Sequence, residues 1–149
     1  MLRICRDKWH QNENILRDFI KENLEEINED YWYKDIVKMT VEKILNGRED
    51  DISWDTEKIT EIDNGHYQGT LLYLIPEETY QPSADEYLMT YVYYGSCSGC
   101  DTLQNIKYCS DDTEETIKGY MTLCRDIIMS MKKPYNFWDD EEFEEVEFK

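Results

Sequence analysis

Residues 69–75 constrain the fold more than any other segment, because apolar side chains occupy both alternating sets of positions. The uninterrupted apolar run is Leu71, Leu72, Tyr73, Leu74 and Ile75. Successive side chains of a strand point to opposite faces, so a strand that is apolar on both faces belongs in the middle of a sheet. Pro76 ends the run, since proline cannot donate a hydrogen bond to the ladder. The segment is therefore predicted to be a central strand.

The flanking segments supply neighbours for that strand. Asn64-Gly65 is the typical sequence of a type I′ hairpin turn, because both residues tolerate a positive φ, and a turn there pairs Ile62 with Tyr67. Residues 87–94 are mainly aromatic or β-branched, which favours a third strand. The simplest sheet that joins the three segments is an antiparallel meander.

Two helices are predicted before the sheet. Apolar residues recur with a helical period over residues 14–28 and again over residues 31–46. Asp30 is positioned to cap the second helix and Gly47 to end it. Because the connection is short, we expect the two helices to form an antiparallel pair.

The C-terminal part is predicted to be helical as well. Residues 101–108 favour a short helix, and residues 113–131 favour a longer one with Asp112 as its cap. The acidic residues 139–149 form either a flexible tail or a fourth, edge strand. No internal repeat or linker divides the chain, so residues 1–149 are predicted to be a single α+β domain.

The sequence also indicates a cytoplasmic protein. No apolar run approaches the roughly 20 residues that span a bilayer, and the N-terminus has no apolar core of a secretory signal. The cysteine count of 5 is odd, which argues against a framework of disulfides and favours reduced thiols.

Negative charge is concentrated in the part of the chain that forms the sheet. The net charge of −18 divides into −1 over residues 1–48, −11 over residues 49–106 and −6 over residues 107–149. Such a field repels nucleic acid and anionic lipid and attracts a basic protein. Solubility alone is the alternative explanation. A binding surface would combine these acids with nearby tyrosines, and its candidate residues are Asp50, Asp51, Asp55, Glu61, Asp63, Glu77, Glu78, Asp85, Glu86, Tyr87, Tyr91 and Tyr93.

Cys97 and Cys100 are the most conspicuous pair of chemically reactive residues. Their spacing occurs in thiol oxidoreductases and in zinc knuckles, and a turn with unreactive thiols is the third interpretation. A zinc ion would take further ligands from Cys109, Cys124, His66 or His10. The acids around the pair oppose ionisation of a thiol, which disfavours redox catalysis.

No other catalytic constellation is present. The sequence has no nucleophile elbow and no glycine-rich phosphate loop. The acid clusters lack the alternating spacing of a calcium loop. We therefore expect a binding protein without enzymatic activity and without a required cofactor, with zinc as the one candidate.

Two stretches, EIDNGHYQGTLL (61–72) and YVYYGSCSGCDTLQ (91–104), resemble a family of small phage and prophage proteins of Gram-positive bacteria. The resemblance covers about a third of the chain and implies a context rather than an activity: a phage product in a bacterial cytoplasm. In that context the acidity favours an anti-defence inhibitor, of the anti-CRISPR or anti-restriction type, which imitates nucleic acid and blocks a basic host protein. The alternatives are a phage replication or regulatory adaptor built around the Cys97/Cys100 turn, and a thiol oxidoreductase.

Overall fold

The computed structural model describes residues 2–46, 52–65, 69–97, 100–108 and 111–133. It has N-terminal helices, a three-stranded antiparallel sheet and C-terminal helices, which confirms the predicted α+β class. Residues 134–149 lie outside the described residues, and with them the predicted tail or edge strand of residues 139–149; Gly47 lies outside them as well.

The first helix begins earlier and ends sooner than the sequence prediction of residues 14–28. Helix α1 spans Arg3–Glu22 and helix α2 spans Leu24–Asp30. Cys5 and Trp9 are buried on α1 and continue the apolar stripe toward the N-terminus, so the helix is anchored there as well. Asn23 separates the two helices, and its side-chain amide donates to the carbonyl of Phe19 at 2.9 Å.

The second predicted helix is also corrected. Helix α3 spans Tyr33–Thr40 and continues into a π-helical turn, Val41–Leu45. Asp30 is the last residue of α2 and does not cap α3. The N-cap position is occupied by Trp32, and the carboxylate of Asp35 in the first turn accepts a 2.9 Å hydrogen bond from the Trp32 N–H.

The sheet consists of β1 (Thr60–Gly65), β2 (Gly69–Pro76) and β3 (Tyr87–Tyr94) in that order, with both pairs antiparallel. The central position of β2 and the bounds of β3 confirm the sequence predictions.

The predicted hairpin turn is wrong. Asn64 and Gly65 lie inside β1, and Ile62 pairs with Leu72 instead of Tyr67. The two registers differ by an odd number of residues, so every β1 side chain lies on the other face of the sheet. The observed register turns Ile62 away from the helices and lets the hydroxyl of Tyr73 donate to Glu61 at 2.7 Å.

The two faces of the sheet differ in burial. The helix-covered face is formed by the buried residues Leu71, Tyr73, Ile75, Leu88, Thr90 and Val92. The opposite face, which we call the open face, is formed by partly or fully exposed residues: Ile62, Leu72, Leu74, Met89, Tyr91 and Tyr93.

Helices α4 (Thr102–Tyr108) and α5 (Thr113–Met129) complete the fold. Asp112 caps α5 as predicted, accepting from the Glu114 N–H at 2.9 Å. The Thr90 hydroxyl donates to the carbonyl of Ile127 at 2.8 Å and so ties β3 to α5. After α5 the chain returns to β3, where Lys132 and Met89 exchange backbone hydrogen bonds of 2.7 and 2.8 Å. Within the described ranges, no helix is long and apolar enough to cross a membrane.

Candidate functional site

Two segments meet at the end of the sheet where β2 ends and β3 begins. The N–H of Asp55 donates to the carbonyl of Pro76, and the N–H of Glu78 donates to the carbonyl of Ser53, both at 2.8 Å. The N–H of Glu77 donates to the carbonyl of Glu86 at the same distance. The first two bonds hold residues 53–58 against the end of β2, and the third joins the two ends of the segment 76–87.

This region carries five of the acidic residues that the sequence predicted for binding, and we call these five the acidic end: Asp55, Glu77, Glu78, Asp85 and Glu86. The structure brings them together from segments more than twenty residues apart, which the sequence alone did not establish. Asp50 and Asp51, which precede this region, lie outside the described residues.

Local hydrogen bonds orient several of these carboxylates. Asp55 accepts from the N–H of Glu57 and lies 3.9 Å from the ammonium of Lys58. Asp85 accepts from the hydroxyl of Ser83 at 2.5 Å, and this bond lowers the pKa of the Asp85 carboxyl below its usual range. Glu86 accepts from the N–H of Ser83 at 2.9 Å. The loop is thus ordered by its own acids, whose side chains are exposed or half-buried.

Glu61 and Asp63 lie elsewhere. Both are on β1, on the side of the sheet that the helices cover, although the strand is at the edge and its residues are exposed. Glu61 accepts from the hydroxyl of Tyr73, and Asp63 accepts from the hydroxyl of Tyr94, each at 2.7 Å. These two carboxylates therefore have partners within the sheet and do not join the acidic end.

The three predicted tyrosines share the open side of β3. Tyr87 begins the strand opposite Pro76, next to the acidic end, and Met89, Tyr91 and Tyr93 follow it on the same face. The rings of Tyr91 and Tyr93 contact edge to face with centroids 5.4 Å apart. Tyr93 is 68% exposed, which leaves most of its ring available to a partner.

Cys97 and Cys100 lie close together in the turn between β3 and α4. The Sγ atoms of Cys97 and Cys100 are 3.0 Å apart, and both residues are exposed. The sulfur of Cys100 accepts from the N–H of Cys97 at 3.2 Å. The contacts with Cys97 and then with the hydroxyl of Ser96 lower the pKa of the Cys100 thiol. The direction is opposite to the one expected from nearby acids: hydrogen bonds lower the pKa of this thiol, and the effect that raises it is desolvation.

The candidate zinc ligands are dispersed. Cys124 is buried on α5, where desolvation raises the pKa of its thiol to about 12. His10 lies on α1 with its Nδ1 3.8 Å from a carboxylate oxygen of Glu13. Among the residues that the structure describes, no group of three or more His, Cys, Asp or Glu side chains is arranged to hold a metal. Cys109 and His66 lie outside them.

Sequence reasoning missed the group that holds the cysteine turn in place. Asp101 is only 1% exposed, and its carboxylate accepts from the N–H of Gly95 at 2.8 Å and from the N–H of Gln104 at 2.9 Å. The hydroxyl of Tyr33 also donates to it at 3.1 Å. The sequence carries no signal for this contact, because Tyr33 lies on another helix far along the chain.

A second acidic surface on α2 was also missed. Residues 22–30 contain no base, and their acidic side chains line one shallow groove: Glu22, Glu25, Glu26, Glu29 and Asp30. The net charge of residues 1–48 does not reveal this group, because basic residues elsewhere in that range balance its negative charge. A shorter counting window would have found it.

Comparisons of the chain with protein-family models, with curated proteins and with solved structures found no match.

Proposed function

We propose that this protein is a phage-encoded inhibitor of host defence, which binds a basic, nucleic-acid-binding host protein through its acidic end. Anti-CRISPR and anti-restriction proteins are the type we have in mind. The phage context rests on the sequence resemblance, and the mode of action rests on the surface.

The observation that carries the proposal is the set of carboxylates at the acidic end. Within the described part of the chain, no base forms an ion pair with Glu77, Glu78 or Glu86. Their charge is therefore available to a partner. Exposed charges act over about 8 Å at physiological ionic strength, so carboxylates grouped on one surface act jointly on an approaching protein.

Such a group imitates the charge of a nucleic-acid backbone. A protein groove that binds phosphates is lined with Lys and Arg and attracts carboxylates for the same reason. Opposite fields raise the rate of association, and occupation of the groove excludes the nucleic acid. Tyr87, next to the acidic end, supplies a rigid ring at the border of the charged surface.

The test uses purified restriction endonucleases and CRISPR effector complexes from Gram-positive bacteria, with fluorescent DNA as the competing ligand. We expect the protein to displace DNA from one of them, with an affinity that falls steeply as salt is raised. The triple variant Glu77→Gln, Glu78→Gln, Asp85→Asn should weaken displacement at least about tenfold, because charge contacts at interfaces contribute on the order of 1 kcal/mol or more each.

A matched control removes the same charge elsewhere. The triple variant Glu25→Gln, Glu26→Gln, Glu29→Gln on α2 leaves the acidic end intact and should displace DNA nearly as well as the wild type. Equal weakening by both variants would mean that only net charge matters and would contradict a site at the acidic end. Absence of displacement across the panel would contradict the inhibitor function.

The adaptor function is the second candidate, and the exposure of Tyr93 on the open face favours it. An adaptor would bind through Tyr91 and Tyr93, with little dependence on salt. The double variant Tyr91→Ser, Tyr93→Ser would abolish such binding, whereas the acidic-end variant would leave it unchanged.

A further inference from the structure

Backbone hydrogen bonds of Cys97 hold the two cysteines close together. The carbonyl of Cys97 accepts from the N–H of Cys100 at 3.1 Å and from the N–H of Asp101 at 2.9 Å. Both cysteines are exposed, and their sulfurs lie 3.0 Å apart. A disulfide between the same two residues therefore requires little movement of the backbone.

The surroundings keep the turn in this arrangement. The buried carboxylate of Asp101 binds the N–H of Gly95 before the turn and the N–H of Gln104 after it. Gly95 is packed so closely that a Cβ there would lie 2.5 Å from the carbonyl oxygen of Cys100 and 2.8 Å from its sulfur. The thiol pair is thus preorganised in the folded protein.

We propose that Cys97 and Cys100 form a redox-active dithiol that reduces small-molecule disulfides by thiol–disulfide exchange. This activity goes beyond the proposed inhibitor function and uses a different part of the surface.

The exchange has two steps. The Cys100 thiolate attacks one sulfur of the external disulfide, whose S–S bond breaks and releases one thiolate. The Cys97 thiolate then attacks the sulfur of Cys100 in this mixed disulfide and releases the second thiolate. Two protein thiols are oxidised to one disulfide, one external disulfide is reduced to two thiols, and the two protons pass from the cysteines to the released thiolates.

Cys100 is assigned the first attack because its sulfur is the hydrogen-bond acceptor of the turn. The N–H of Cys97 donates to it at 3.2 Å, and the hydroxyl of Ser96 lies 3.8 Å away. Both contacts stabilise the thiolate, in agreement with the lowered pKa of this thiol. Cys97 lies 3.0 Å away and is positioned for the second attack.

The experiment measures the reaction of the folded, reduced protein with 5,5′-dithiobis(2-nitrobenzoate) in a Cys109→Ser background. Cys5 and Cys124 are buried, and desolvation raises the pKa of each thiol to about 12, so they stay unreactive. We expect two equivalents of the coloured thiolate to be released per chain, and a product that has lost two hydrogen masses and carries no adduct.

Single substitutions separate the two roles. Cys97→Ser should release one equivalent and retain the mixed disulfide on Cys100, because the second step is lost. Cys100→Ser should react about tenfold more slowly in the first step, because the remaining thiol lacks the stabilising contacts.

The proposal would be overturned if the Cys109→Ser protein carried two adducts and no internal disulfide. It would also be overturned if the Cys97→Ser variant released two equivalents of the coloured thiolate. A third contrary result would be a folded protein that reacts no faster than the same protein unfolded in urea. The triple variant at the acidic end should retain the full exchange reaction, so failure of the inhibitor proposal and failure of this one are distinguishable.

Discussion

Cys100 and Cys124 carry the same thiol group in opposite environments. Cys124 is buried on α5, and desolvation raises the pKa of its thiol to about 12. Cys100 is exposed in the turn before α4, where hydrogen bonds to its sulfur lower the pKa. The two pKa values shift in opposite directions because the interior favours the neutral thiol, whereas the hydrogen-bond donors of the turn favour the thiolate.

The carboxylates divide in a similar way. Asp101 is buried and accepts three hydrogen bonds from the chain around it, so its oxygens are used within the fold. Glu77 and Glu78 at the acidic end have no such side-chain partners among the described residues. Interior ionisable groups thus fix the structure, whereas those on the surface remain available for association or reaction. The following changes test that division, in order of decreasing effect.

Asp101→Ala should have the largest effect on stability. The substitution leaves the N–H groups of Gly95 and Gln104 and the hydroxyl of Tyr33 without their acceptor, and it should lower the free energy of unfolding by about 3 kcal/mol. Urea unfolding measures the change. The exposed Asp111→Ala is the control and should leave the urea midpoint unchanged. Equal effects of the two substitutions would break the distinction between buried and exposed carboxylates.

Gly95→Ala tests whether close packing around the turn controls the distance between the two exposed sulfurs of Cys97 and Cys100. The added Cβ meets the backbone of Cys100 at 2.5 to 2.7 Å, so the turn must shift, and we expect a loss of about 2 kcal/mol. The shift should also separate the two sulfurs and slow closure of the disulfide. A variant with wild-type stability and wild-type exchange would contradict the close packing at this position.

The buried Cys124 should make stability depend on alkaline pH. Its thiol is protonated in both states below its ordinary pKa of 9.0, so the group has no effect there. Between pH 9.0 and about 12 the unfolded chain releases this proton and the folded chain keeps it. The free energy of unfolding therefore falls with rising pH, by about 1.4 kcal/mol per pH unit for this thiol.

Urea unfolding at several pH values above 9 measures the slope, with Cys124→Ala as the comparison. The variant should lose the contribution of this one thiol and keep that of Cys5, which desolvation affects in the same direction. Parallel slopes for wild type and variant would show that Cys124 ionises equally in both states.

The smallest effect on stability is expected for the triple variant Glu77→Gln, Glu78→Gln, Asp85→Asn. These exposed or half-buried side chains contact mainly solvent, and Asn can still accept from Ser83 in place of Asp85. The urea midpoint should stay unchanged, or rise slightly at low salt as mutual repulsion is relieved. A marked loss of stability would place these acids with Asp101 among the structural carboxylates.

The parts of the fold that depend on local pattern could be predicted from the sequence. The alternation and aromatic content of residues 87–94 gave the bounds of β3, and the doubly apolar run gave the central position of β2. Asp112 could be identified as a cap because its role depends only on the next few residues. The start of α1 was missed although Cys5 and Trp9 continue the helical stripe.

Features that depend on distant contacts could not be predicted. Six residue pairs and the hydrogen bond between Tyr73 and Glu61 set the register of β1 against β2. Together these contacts outweigh the local preference of Asn-Gly for a turn. The contact between Tyr33 and Asp101 joins residues 68 positions apart. The acidic end likewise forms from backbone bonds between two separate segments, so its members could be named but their grouping could not.

The pair of backbone hydrogen bonds between Lys132 and Met89 has a consequence for solubility at high concentration. A sheet edge with a continuous row of unpaired N–H and C=O groups can recruit a strand from another molecule and begin aggregation. Lys132 occupies part of that row on β3, and its long charged side chain opposes close approach. The other edge, β1, carries Glu61 and Asp63, whose charges repel the same strand of a second copy. Both edges of this short sheet therefore carry charged side chains that oppose pairing with a strand of a second copy, even though its open face is apolar.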